Sequence, residues 1–63
     1  MNKDEILKNG KNSFNLYYKG EYLATFEYDK EFKRYQSLYG YLTIERVYQL
    51  DKGLEKDRKI EWI

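Results

Sequence analysis

The chain has no cysteine and no histidine. Those two absences exclude a disulfide scaffold, a zinc finger and an iron–sulfur centre. No acidic loop with a glycine turn is present for a carboxylate-only calcium site. Long apolar runs are missing, so no transmembrane helix is expected. The first residues, MNKDEILKNG, lack the apolar core of a secretory leader. A dominant charge is missing as well. Twelve basic residues against eleven acidic ones leave a net charge of +1, so nothing global points to nucleic acid or an anionic membrane. Together these absences predict a cytoplasmic protein with no metal, no cofactor and no membrane contact.

Size is also in short supply. Sixty-three residues make one domain, 1–63. A chain this short buries only about 60% of the surface that its unfolded form exposes. Its core rarely contributes more than about 3–5 kcal/mol. With disulfides and metals excluded, a homodimer or a permanent partner gains weight as a source of stability.

What is present is aromatic. Eight Tyr, three Phe and one Trp outweigh a thin aliphatic set. Tyr carries a polar tip and is often only partly buried, so some of these rings must line a surface. The stretch Phe14–Tyr28, FNLYYKGEYLATFEY, organises the chain as a β-hairpin. A two-residue turn at Lys19-Gly20 pairs Tyr18 with Glu21 and splits the apolar residues between the faces. A three-residue loop, Tyr18-Lys19-Gly20, with Gly20 at positive φ, pairs Tyr17 with Glu21. It gathers Phe14, Leu16, Tyr22, Ala24, Phe26 and Tyr28 on one face. The buried face decides a register, so the second arrangement is the expected one.

Residues 1–12 read as a short docked helix, Asn2 to Gly10 with Asn2 as cap, or as a frayed arm. Asp29 to Gly40 has the marks of a helix: an N-cap residue, a terminal glycine, and Phe32, Tyr35 and Tyr39 at i, i+3 and i+7. Within it Glu31 can pair with Arg34. Tyr41 to Leu50 returns to period two, with Leu42, Ile44, Tyr48 and Leu50 on one face. Arg46 interrupts that apolar row. A β-bulge near Glu45-Arg46, a side chain reaching the sheet edge, or a functional arginine accounts for it. Asp51-Lys52-Gly53 repeats the Lys-Gly loop, EKDRK is a solvated turn, and Lys59–Ile63 forms a last strand. Trp62 is a core plug or an anchor into a partner. The sum is α+β: a ββαββ antiparallel sheet with one helix packed on one face.

For chemistry, only carboxylates, lysines and tyrosine hydroxyls remain. Paired carboxylates do glycosidase work, but a chain of this size has little room for the cleft that tunes them. The sequence therefore predicts no catalysis. Protein binding fits better, because Tyr, Trp and Arg are enriched at interface hot spots. The uncovered face carries Tyr17, Leu23, Tyr41 and Val47, with Arg46 at its edge. Lys30, Lys33 and Arg34 project from the helix. Apart from Val47, these seven residues are the expected contacts for a protein partner, reached through a sheet face or a strand edge. Nucleic acid is the rival partner, held by sheet aromatics and Lys/Arg. Glu21, Glu27 and Glu45 on the same face oppose it. A structural homodimer is the third reading. The bias toward Lys, Asn, Tyr, Ile and Phe is that of an AT-rich gene, and very small stand-alone chains are common in phages. An inhibitor or accessory protein is therefore the expected role.

Overall fold

The computed structural model describes residues 11–63. The helix expected at Asn2–Gly10 lies outside them. Five strands and, among the described residues, one helix follow in the order ββββαβ: β1 Ser13–Tyr18, β2 Glu21–Asp29, β3 Arg34–Ser37, β4 Gly40–Thr43, α1 Ile44–Asp51 and β5 Arg58–Trp62. The strands form one antiparallel sheet in the order β4-β3-β2-β1-β5. Helix α1 carries the chain from one edge of the sheet to the other and packs on one face. This is the α+β architecture expected from the sequence, with the helix one hairpin later in the chain.

The three-residue loop expected for the first hairpin does not form, and Tyr17 lies opposite Tyr22 and not Glu21. The turn is the two-residue one, with Tyr18 opposite Glu21. Lys19 and Gly20 both take positive φ, 49° and 85°, the backbone of a turn whose twist matches the strands it joins. The pairing then slips by one residue, with Tyr17 opposite Tyr22 but Leu16 opposite Ala24. Leu23 is the extra residue of a β-bulge. The bulge restores the apolar face that a two-residue turn alone would split, and Phe14 stacks on Phe26 at 5.1 Å. It also moves Tyr22 off that face. Tyr22 instead meets Tyr17 edge-on and shares a hydrogen bond with Thr25, which donates to Asn15.

The segment expected to be a helix, Asp29 to Gly40, is a turn followed by the β3–β4 hairpin. Asp29 does cap backbone N–H groups, but those of a turn. Its Oδ1 accepts from Glu31 N at 2.9 Å and Phe32 N at 3.4 Å. Of the expected helical stripe only Tyr35 is buried, while Phe32, Leu38 and Tyr39 are exposed.

The segment expected to be a strand, Tyr41 to Leu50, splits after Thr43. The Thr43 hydroxyl accepts from Arg46 N, an N-cap that opens α1. At helical spacing Ile44, Val47, Tyr48 and Leu50 face the sheet, and Arg46 falls on the outer side. There it forms an ion pair with Glu55, which also faces Arg58. Arg46 needs neither a bulge nor a sheet edge. It marks a segment whose period is 3.6 and not 2. Asp51-Lys52-Gly53 is correspondingly a helix end: Gly53 N donates to Leu50 O and Leu54 N to Gln49 O, with Gly53 at φ 74°.

The core is an aromatic stack. Phe14 is fully buried among Phe26, Tyr35 and Trp62, with ring centroids 5.1–5.3 Å away. Val47 and Leu50 close it from α1. Trp62, opposite Phe14 on β5, is a core plug. Its indole N–H donates to Asp51 Oδ1 at 2.7 Å and ties β5 to the end of the helix.

Tyr35 is fully buried, yet its hydroxyl donates to Lys11 O at 2.8 Å. Burial, then the nearby Tyr28 and Asp51, push its pKa up to about 12. The neutral form is the one the fold favours. The resulting stability is complete below the unfolded value of about 10 and is lost as pH rises toward about 12. We expect the urea midpoint of the native chain to fall across that window by the equivalent of about 2–3 kcal/mol more than that of Tyr35→Phe. Parallel curves for the two proteins would refute this assignment.

Candidate functional site

Two surfaces meet at the β3–β4 hairpin. The first begins with an incomplete pairing. β3 pairs with β2 only from Glu27 to Asp29. The outer edge of Glu21–Phe26 has no strand beside it among the described residues. That edge carries a charge only at Glu21; Tyr22, Leu23, Ala24, Thr25 and Phe26 have none. Sheet edges are ordinarily guarded by charge, proline or cover, and β5 is guarded in this way by Arg58, Lys59 and Glu61.

Beside the bare edge lies a recess of about 420 Å³, bounded by Leu16, Leu23, Ala24, Phe26, Tyr39 and Tyr41. Its far wall is the hairpin tip. Ser37 pairs with Gly40, so Leu38 and Tyr39 make the turn. The Ser37 hydroxyl accepts from Tyr39 N and donates to Gly40 O, both at 3.1 Å. The tip is thus fixed, but its side chains are not covered: Leu38 is 98% exposed and Tyr39 85%. Two-residue turns ordinarily carry Gly, Asn, Asp or Ser.

The second surface is the helix-free face of the sheet. Residues that alternate with the core positions place Asn15, Tyr17, Thr25, Glu27, Arg34, Gln36, Tyr41, Lys59 and Glu61 there. Arg34 lies over two rings, its Cζ 4.0 Å from the centroid of Tyr41 and 4.7 Å from that of Phe32. The expected Glu31–Arg34 pair does not form, because the segment is not helical.

The seven residues expected from the sequence are therefore distributed unevenly. Arg34 and Tyr41 are in contact, and Lys30 and Lys33 are exposed in the turn that leads to them. Leu23 and Tyr41 both border the recess. Tyr17 sits on the other half of the open face with Tyr22. Arg46 is elsewhere, on the outer side of α1 and paired with Glu55. Sequence reasoning missed Leu38 and Tyr39, which it placed on a helix. The signal that finds them is Ser-Leu-Tyr-Gly between two short alternating runs.

Among the described residues no group of three or more His, Cys, Asp or Glu is arranged to hold a metal. No helix among them is long and apolar enough to cross a membrane. Comparison with known proteins found no matching family model, no matching curated protein and no matching solved structure.

Proposed function

We propose that this protein is a small, non-catalytic binding module that occupies a partner protein, in the manner of an inhibitor or accessory subunit. The occupant is an extended apolar segment of the partner, laid against the bare edge of β2. Backbone groups of Glu21–Phe26 supply the hydrogen bonds of strand addition, and the recess takes alternate side chains. The observation that carries this reading is the tip, whose two large side chains stand in water beside the bare edge: Tyr39 borders the recess, and Leu38 lines a smaller hollow with Tyr22 and Thr25. Large apolar groups in that state mark interaction sites. Nucleic acid is disfavoured because Glu27 and Glu61 lie on the open face among its aromatics.

The test is Leu38→Ser combined with Tyr39→Ser. Both side chains are exposed, so the melting temperature should barely move. Affinity capture from the source cells should retain a protein on the wild-type chain and lose it on the variant, at least ten-fold by mass spectrometry. In the captured complex the amides of Tyr22–Phe26 should gain protection from hydrogen exchange. Steeply salt-dependent anisotropy with labelled oligonucleotides would transfer the function to nucleic acid. A wild-type dimer in sedimentation that the variant converts to monomer would make the edge a self-association site.

A further inference from the structure

We infer that Arg34 is a carboxylate-binding site, held open for an acidic side chain of a peptide. The site is inferred for the carboxylate itself. That the carboxylate belongs to a partner protein rests on the reading above.

Arg34 alternates with the buried Tyr35 and so stands on the helix-free face, between Asp29 on β2 and Thr43 on β4. Asp29 is the carboxylate that the register brings to it. Its Oδ1 accepts the Glu31 and Phe32 amides, and no ion pair joins it to Arg34. The same two bonds fold the turn that returns Phe32 over the guanidinium. The guanidinium therefore packs on aromatic rings and not on the carboxylate across from it. Both ion pairs among the described residues go to Glu55, from Arg46 and Arg58. Arg34 has none.

The guanidinium is correspondingly unsatisfied. Its Nε is buried without a hydrogen-bond partner, a costly state for a charged donor. Its terminal nitrogens have no protein partner among the described residues. Contact with Phe32 and Tyr41 restrains the side chain and leaves the edge formed by the terminal nitrogens as the one that binds. A planar fork fixed in this way matches a carboxylate, which accepts two parallel N–H bonds. Phe32 and Tyr41 are each more than half exposed and offer apolar walls to the residues flanking the acid. Lys30 and Lys33 add positive potential nearby, while Glu27, Asp29 and Glu31 keep the neighbourhood from being strongly cationic. That balance suits a singly charged carboxylate and disfavours a polyphosphate chain.

The experiment is an NMR titration of the full-length chain at low salt, following the Arg34 Nε–Hε signal. The probes are a blocked tetraglutamate peptide, blocked tetraglutamine and inorganic phosphate. Tetraglutamate should give a saturable shift at Arg34 Hε and at the Phe32 and Tyr41 amides, with at least ten-fold weaker response to tetraglutamine. Arg34→Lys keeps the charge but loses the fork, and should weaken the peptide at least ten-fold with an unchanged fold by circular dichroism. If that variant does not fold, the wild-type Hε titration decides alone. Shifts spread evenly over Lys30, Lys33 and Lys59 with Arg34 silent would overturn the inference, as would inorganic phosphate binding more tightly than the peptide. None of these outcomes depends on strand addition at β2, so the two proposals fail separately.

Discussion

Phe14→Ala should leave the chain unfolded at 25 °C. Phe14 has no exposed surface and touches the rings of Phe26, Tyr35 and Trp62. Removing a buried Phe costs about 3–5 kcal/mol, part lost transfer and part residual cavity. A domain of this size has about 3–5 kcal/mol in total. The cavity cannot close easily, because its walls are flat rings fixed on three strands. Far-UV circular dichroism and a urea titration are the measurements. A cooperative transition that retains more than half of the wild-type free energy would show that the core relaxes around the gap.

Val47→Asp should be nearly as damaging, and Arg46→Ala almost silent. Val47 is fully buried on the sheet-facing side of α1 within the hydrophobic core, and a lone buried carboxylate costs several kcal/mol or forces local unfolding. Arg46 is partly exposed, and its pair with Glu55 is of the surface kind, worth about 0–1 kcal/mol. The contrast between adjacent residues is the mark of helical spacing. If 41–50 were a strand with Arg46 inward, the ranking of the two variants would reverse.

That contrast also shows how much of the fold the sequence makes legible. Phe14, Leu16, Ala24 and Phe26 were readable as one face because alternation is a strong signal over a long hairpin. The turn was harder: burial of a shared face is satisfied equally by a three-residue loop or by a two-residue turn with a bulge, and only the second lets both Lys19 and Gly20 take positive φ. The interchange of helix and strand after Asp29 has a specific cause. Asp, Thr and Gly punctuate turns, caps and helix ends alike. Asp29 was legible as a cap without revealing that it caps a turn, and Thr43 as a strand residue without revealing that it caps a helix. Of the apolar residues that make a helical stripe from 32 to 39, Phe32, Leu38 and Tyr39 are exposed, so they mislead a reading that assumes burial. Arg46 on an apolar row was the one internal sign of the wrong period. Of the site, Arg34, Tyr41 and Leu23 were reachable from residue type. Their grouping was not, because it depends on the short β3–β4 hairpin leaving half of β2 uncovered.

The closing of the sheet by β5 has a kinetic side. The pairings β1–β2, β2–β3 and β3–β4 all join neighbours in the chain, and each needs only a short loop. The pairing of Phe14 with Trp62 spans nearly the whole described chain. Loop closure over that distance is the largest entropic demand of the topology, and it falls on a single step, the docking of β5 along β1. The residue that completes this step, Trp62, is the chain's one tryptophan. Tryptophan fluorescence, excited at wavelengths the tyrosines do not absorb, therefore reports closure of the fold, and a meander of β1 to β4 assembled ahead of it is silent to that probe.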